Sequence, residues 1–357
     1  MQAVLTVDLG AITANWRALC DRHQGGAVAG VVKADAYGLG AVPVARALRE
    51  AGCQHFFVAH LAEGVAVREA LGPGPMIAVL NGFAPGADEG AGLVPVLNSL
   101  PGLSAHAAAA RRAGRPAPAI LHLDTGMSRL GLDAREQAAL AEDPGLREGL
   151  DLRFVMTHLA CADEPDHALN AAQAARFAAA CARLAPGVPR SLANSSGLFL
   201  GAGFASDLAR PGAALYGINP TPGRPNPMRQ AVRLAAPVLQ LREVPAGATV
   251  GYGAAWTAPR PARVATVAAG YADGYLRALS GRATGCVAGR PVPLVGRVSM
   301  DLITFDVTDI PDCAPGTMVE LIGPGRTPDD LAALAGTIGY EILTALGARY
   351  RRAYLPA

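Results

Sequence analysis

Two textures of apolar and polar positions divide the chain. Up to about residue 225, short apolar runs at 27–32, 55–59, 76–80, 93–97, 118–123, 152–157, 190–194 and 213–217 alternate with longer segments of helical period. In 166–184, Phe177, Cys181 and Leu184 share one face while Arg176 and Arg183 turn away, and Pro186-Gly187 stops the helix. Residues 40–51 read as a helix ended by Gly52. Residues 100–112 read as another, opened by Ser99-Leu100-Pro101 and closed by Gly114. Eight strands alternating with helices over about 215 residues predict an α/β architecture, a (β/α)8 TIM-type barrel. A doubly wound sheet competes, but it wants a glycine-rich first turn, and Gly38-Leu39-Gly40 is too short to be one.

The second texture follows a Pro- and Gly-rich linker at 221–227. Short β-rich pieces at 231–244, 263–269, 285–298 and 302–307 replace the helical period, with one late helix near 328–336. The expected division is a barrel over 1–225 and a smaller, mostly-β domain over 226–357, with the extreme N-terminal strand free to pack on the second domain.

Composition adds less. The 357 residues are 51% hydrophobic and 17% charged, as in a well-filled globular protein. A formal charge of +2 is too small to argue for nucleic acid or a membrane surface as partner. No apolar stretch approaches the roughly 20 residues of a membrane span. The start, Met1 to Asp8, carries no signal-peptide pattern, and the six cysteines are scattered with no metal-binding spacing. A cytoplasmic protein with reduced thiols and no metal is expected.

One count changes the picture. Lys33 is the only lysine among 31 basic residues, and it ends the apolar run Ala27 to Val32. A guanidinium holds its proton, whereas an amine can lose it, attack a carbonyl and later serve as a base. In a barrel, chemistry sits at the C-terminal ends of the strands. Lys33 and Tyr37 follow the first strand, and Asp124 and Arg129 follow the fifth. His158 follows the sixth, Asn194 and Ser195 follow the seventh, and Arg210 lies just before the eighth. Each is ordinary alone, a core histidine or a surface arginine. Together they share one mouth.

These residues lie in motifs that resemble the alanine racemase family, in order and over nearly the whole length. Val31-Val32-Lys33-Ala34-Asp35-Ala36-Tyr37-Gly38 is similar to its cofactor-lysine motif. Asp124 to Gly131, Thr157-His158, Ala193-Asn194-Ser195 and Arg210-Pro211-Gly212 with Leu215-Tyr216-Gly217 resemble its barrel motifs. In the second domain, Val250-Gly251-Tyr252-Gly253-Ala254, Gly270-Tyr271-Ala272-Asp273 and Val298-Ser299-Met300-Asp301 resemble three more.

The resemblance implies a pyridoxal 5′-phosphate (PLP) enzyme that interconverts L- and D-alanine, for peptidoglycan supply or D-alanine catabolism. Lys33 would anchor PLP and act as base for the D enantiomer, with Tyr252 as base for the L enantiomer. Tyr37, Ser195, Gly212, Ala213 and Tyr216 would hold the phosphate, with Asn194 alongside. Arg210 would face the pyridine nitrogen, with His158 bridging from it toward Tyr252. Arg129, Met300 and Tyr271 would meet the substrate. Tyr252 and Met300 would come from the partner of a homodimer.

Three positions depart from the family's pattern. His122 replaces a lysine that is often carbamylated, and Ser191 replaces a histidine beside the pyridine-side arginine. A C-terminal tyrosine on the phosphate side falls at Ala348. A serine or broad-spectrum racemase stays open. A PLP-dependent decarboxylase and a non-catalytic PLP carrier are the other classes. Arg210 and the Tyr252 motif speak against the first, and the residues after Asn226 against the second.

Overall fold

A computed structural model of the chain describes residues 2–357. After a first strand, β1 (Val4–Asp8), comes a parallel barrel. Its first stave is broken into β2 (Ala27–Val28) and β3 (Gly30–Val31). The others are β4 (His55–Val58), β5 (Met76–Val79), β6 (Val94–Leu97), β7 (Ala117–His122), β8 (Leu150–Met156), β9 (Arg190–Ser191) and β10 (Leu208–Ala209). Strands β3 to β9 pair in chain order, and β10 pairs with β2. Backbone bonds from Arg210 N–H to the Ala193 carbonyl (2.8 Å) and from Ala29 N–H to the Ala209 carbonyl (2.9 Å) close the ring.

The staves read as continuous apolar runs because both of their faces are covered. Phe56, Phe57 and Val58 on β4 and Ile77, Ala78 and Val79 on β5 are all fully buried. The helix Ala168–Leu184 buries Phe177, Cys181 and Leu184, the face its period predicts. Ser99 caps the helix Leu100–Ala113 by accepting from Gly102 N–H, and Gly114 ends it in the left-handed region.

One stave differs from expectation. Residues 213–217 do not form the eighth strand: Ala213–Tyr216 is a single 3₁₀ turn, and the barrel closes through Leu208–Ala209. Arg210 therefore follows the eighth stave rather than preceding it. Ala213 to Tyr216 are buried on every side, and an all-apolar run has no period to separate strand from turn.

The second sheet is built on β11 (Val232–Val244), whose length lets it pair with several neighbours. Its other members are β14 (Ala262–Val267), β15 (Thr284–Val287), β16 (Arg290–Pro293), β17 (Ile303–Asp306), β18 (Met318–Ile322) and β19 (Arg351–Leu355); β12 (Thr249–Val250) and β13 (Trp256–Thr257) form a separate hairpin. Strand β1 lies inside this sheet, antiparallel to β11 and parallel to β19. It buries Leu5 and Val7 while Val4, Thr6 and Asp8 are partly exposed, the alternation of a sheet with one covered face. Apolar packing runs without a break from Phe56 and Ile77 through Leu5 and Val7 to Phe305 and Leu321. The helix Pro328–Ala335, capped by Thr327, is followed by a short one not expected from the sequence, Gly339–Thr344, which reaches back to the barrel. Among the described residues no helix is long and apolar enough to cross a membrane.

Candidate active site

The chain beyond the first stave takes an unusual path. Ala34, Asp35, Ala36 and Tyr37 have φ of 52°, 53°, 53° and 57°, a left-handed turn made without glycine. Each such residue costs about 1–2 kcal/mol relative to the right-handed form. Specific bonds offset the cost. The Glu63 carboxylate accepts from Ala34 N–H at 2.6 Å, Asp35 accepts from Ala41 N–H at 2.7 Å, and Arg352 donates to the Gly38 carbonyl at 2.8 Å. The turn holds Lys33 at the mouth and folds Tyr37 back into the barrel, where it is buried against Tyr216 with ring centroids 4.8 Å apart.

Lys33 opens into a cavity of roughly 360 Å³, a usual size for a small-molecule site. Its walls include Tyr37, Arg129, His158, Asn194, Ser195, Arg210, Gly212 and Ala213, so the structure brings together most of the residues the sequence singles out. Burial lowers the Lys33 amine below its ordinary pKa, Arg129 adds to that, and Glu63 opposes it. Arg210 is buried and donates to Ser191 Oγ and to the Thr157 carbonyl, both at 2.5 Å. Burial brings its pKa down to about 10, which still leaves a cation at neutral pH. No ion pair among the described residues involves Lys33, Arg129 or Arg210. A cavity with three basic groups and no paired carboxylate suits an anionic occupant.

One end of the cavity is shaped for phosphate. Ser195 Oγ accepts from the N–H groups of Gly212 (3.0 Å) and Ala214 (3.2 Å), leaving its own proton to donate. The Tyr37 hydroxyl lies so close to Gly212 that a Cβ there would sit 2.2 Å from it, so only glycine admits the tyrosine. Burial raises the Tyr37 pKa and keeps it a donor. Two hydroxyls over a Gly-Ala backbone, with an amine and a guanidinium deeper in, fit the phosphate, carbonyl and ring nitrogen of PLP.

Other expected residues fall elsewhere. Tyr216 is one layer behind the wall, and its hydroxyl is spent on the Val31 carbonyl at 2.8 Å. Tyr340 lines the cavity instead, with its ring 6.1 Å from that of Tyr37. Tyr340, and not position 348, is therefore the C-terminal tyrosine that reaches the cavity, on its Tyr37 side. The helix Gly339–Thr344 delivers it together with Thr344. Sequence reasoning missed the pair because six residues carry too little period to place a helix; the one available signal was a tyrosine near the expected motif.

The departures also take shape. Ser191 does support Arg210, and its own proton goes to the Leu208 carbonyl at 2.6 Å. His122 is buried with Nδ1 2.7 Å from Asn98 Oδ1. Asn98 Nδ2 donates to the Leu80 and Val96 carbonyls, so its oxygen must accept and the His122 proton sits on Nδ1. Burial and Arg210 hold the His122 ring neutral, with its pKa down to about 3. The His158 ring is pushed down to about 3 by the same two causes. No hydrogen bond joins it to Arg210 or Tyr252 among the described residues.

Tyr252, Tyr271 and Met300 are absent from the cavity wall. They are 73%, 42% and 54% exposed. Tyr271 and Met300 share one surface of the second domain: Ala272 N–H donates to the Met300 carbonyl at 3.0 Å, and a Cβ on Gly270 would sit 2.2 Å from that oxygen. The Tyr252 turn packs on the backbone of Gly296-Arg297, just ahead of Met300. One chain therefore carries a lysine-bearing cavity and, apart from it, an exposed tyrosine cluster.

Residues 7–220 match the family of the alanine racemase N-terminal domain, and residues 231–354 that of the C-terminal domain. The chain is 59% identical to an alanine racemase of Acidiphilium cryptum over 352 residues, 98% of this chain and 97% of that one. It is 52% identical to a catabolic alanine racemase of Mesorhizobium japonicum, covering 99% and 93% of the two chains. The crystal structure of alanine racemase from Bartonella henselae with covalently bound pyridoxal phosphate superimposes with a TM-score of 0.95 at 41% identity, covering 99% of this chain and 100% of that one.

Proposed function

The chain belongs to the alanine racemase family, and from that premise we propose that it interconverts L- and D-alanine with PLP held at Lys33. The observation that carries the reading is the solitary amine, its pKa lowered by burial, in a cavity whose other charges are unpaired arginines. We assign residues 1–225 to the PLP-binding barrel, apart from β1, which pairs within the second sheet, and 226–357 to the domain that presents the second base.

When bound, PLP supplies an electron sink that makes the Cα–H bond of alanine acidic. The protein's residues then handle protons and position. Ser195, Tyr37 and the Gly212-Ala213 backbone would hold the phosphate, Gly212 chiefly by orienting Ser195 through its N–H, with Asn194 and Tyr340 closing that end. Asn194 braces its own loop by accepting from Gly197 N–H at 2.8 Å. Arg210 stays protonated at working pH, so with PLP bound it would offer the ring nitrogen a hydrogen bond and not a transferable proton, which would restrain charge build-up in the ring and disfavour side reactions. Arg129 meets the substrate carboxylate.

Inversion needs a base on each face of Cα. Lys33 Nζ serves D-alanine, and the hydroxyl of Tyr252 of the partner subunit serves L-alanine. Exposure of Tyr252, Tyr271 and Met300 in the single chain supports a homodimer in which each subunit completes the other's site. Tyr252 and Tyr271 then hem the substrate side chain and favour methyl. The two enantiomers have equal free energy, so one site serves D-alanine supply for peptidoglycan or D-alanine catabolism. Unpaired thiols at Cys20, Cys53, Cys161, Cys181, Cys286 and Cys313 support a cytoplasmic location.

The test is a chiral assay of the purified, PLP-loaded protein on alanine, serine and other amino acids. Inversion of alanine is the expected result; release of CO₂, or a colourless protein that takes up no PLP, sinks the reading.

A further inference from the structure

The strained turn after Lys33 is pinned to the neighbouring stave through one side chain. Glu63 lies in the first turn of the helix Leu61–Leu71, which follows β4. Its Oε2 accepts from Ala59 N–H at 2.8 Å and His60 N–H at 3.0 Å, both in the loop between β4 and that helix. Its Oε1 accepts from Ala34 N–H at 2.6 Å. That N–H belongs to the peptide joining Lys33 to Ala34, so the bond sets the plane from which the lysine side chain departs. The half-buried carboxylate is thus shared among three N–H groups of two barrel loops, one of them the loop that carries the reactive amine.

We propose that Glu63 is a positioning residue for the racemase reaction, which fixes the Lys33–Ala34 peptide and thereby aims the amine into the cavity. The inference rests on the reading of Lys33 as the PLP anchor. Glu63 also has an electrostatic hold on the amine. Of the charged and titratable groups that face Lys33, Arg129 and His158 come from the far side of the cavity and Glu63 from its own side, and Glu63 alone favours the protonated form. A residue that merely capped its helix would act on Lys33 through its charge alone, and shortening it to Asp would leave capture unchanged.

Two variants separate these effects. Glu63→Gln keeps the length and an acceptor but removes the charge. Glu63→Asp keeps the charge and the helix cap but is too short to reach Ala34. Each full-length variant is stripped of cofactor with hydroxylamine and reloaded with PLP. Capture is followed by visible absorbance across pH, and kcat and KM for alanine are measured on the loaded enzyme.

Loss of the charge assistance in Glu63→Gln, or of the Ala34 bond in Glu63→Asp, is expected to slow capture about 10- to 100-fold. It should lower kcat while KM stays within about threefold. Only Glu63→Gln should move the pH midpoint of capture, toward lower pH, because an amine without its neighbouring carboxylate loses its proton more readily. A Glu63→Gln midpoint that does not move, or capture within about twofold of the unaltered chain in either variant, overturns the proposal. If the unaltered chain neither captures PLP nor inverts alanine, the racemase reading fails instead.

Discussion

The Lys33 cavity and the Tyr252 surface are built in opposite ways. Around Lys33 the groups at the back of the cavity are tied down: Arg210 by Ser191 and Thr157, Ser195 by two backbone N–H groups, and the lysine-bearing turn by Glu63. Around Tyr252 the side chains stand in solvent, and only the backbone is braced, at Gly251 and Gly270. A base left mostly exposed has no preorganised surroundings, and catalysis needs them. Under the proposed homodimer, one chain finishes only half of its chemistry: its cavity would receive the tyrosine surface of another copy.

The sharpest way to break this contrast is to remove the amine. Lys33→Arg keeps the charge but cannot form a carbon–nitrogen double bond to PLP at that position, so activity should fall by at least about 10⁴-fold. Borohydride reduction followed by peptide mapping should then find no pyridoxyl-lysine anywhere, since no other lysine exists. Activity of Lys33→Arg within about 10-fold of the unaltered chain would remove Lys33 from the mechanism.

Tyr252→Phe should cost about 10³-fold, as expected for losing one general base. Because the enantiomers have equal free energy, kcat/KM must fall equally in both directions, and steady-state rates cannot reveal which face is affected. Wash-out of α-deuterium can: it should persist from D-alanine, which Lys33 serves, and nearly vanish from L-alanine. Mixing inactive Lys33→Ala and Tyr252→Phe chains should recover about a quarter of full activity, because random dimers regain one intact site in half the cases. No recovery after verified subunit exchange would mean that both bases come from a single chain.

A smaller effect tests the tying-down itself. Ser191→Ala leaves a buried Arg210 N–H without its acceptor, a loss of about 1–3 kcal/mol in denaturant unfolding. An unchanged midpoint would show that Arg210 does not depend on Ser191.

A more gradual effect concerns pH. His122 and His158 titrate near 3 when folded and near 6.5 when unfolded, so the unfolded chain gains protons first as pH falls. Stability is therefore lost between about pH 6.5 and 3, at up to ~1.4 kcal/mol per pH unit for each ring. His122→Asn should make the loss between pH 6.5 and 5 shallower; an identical slope would place the titration elsewhere.

Much of this was legible in the sequence where pattern and chemistry coincide. Doubly buried staves such as Phe56-Phe57-Val58 read as apolar runs, and the Ala168–Leu184 helix as a period. The converging polar residues followed from the rule that places barrel chemistry at strand ends. What escaped lacked a local signal. Ala213–Tyr216 was misread because burial on all sides erases periodicity. The left-handed turn has no glycine to announce it, since distant partners, Glu63 and Arg352, stabilise it. Tyr340 reaches the cavity through a short helix, far along the chain, that packs back onto the barrel.

The sequence by itself determined the reactive amine, the barrel and its order of strands, and the family. A single lysine and a run of motifs depend only on residue identity and spacing. The tertiary structure decided which groups are desolvated, which proton sits on His122, and that Tyr340 and not Tyr216 faces the cavity. Those outcomes depend on burial and on hydrogen-bond partners tens to hundreds of residues away, such as Asn98 for His122 and Val31 for Tyr216. Spacing along the chain does not encode them.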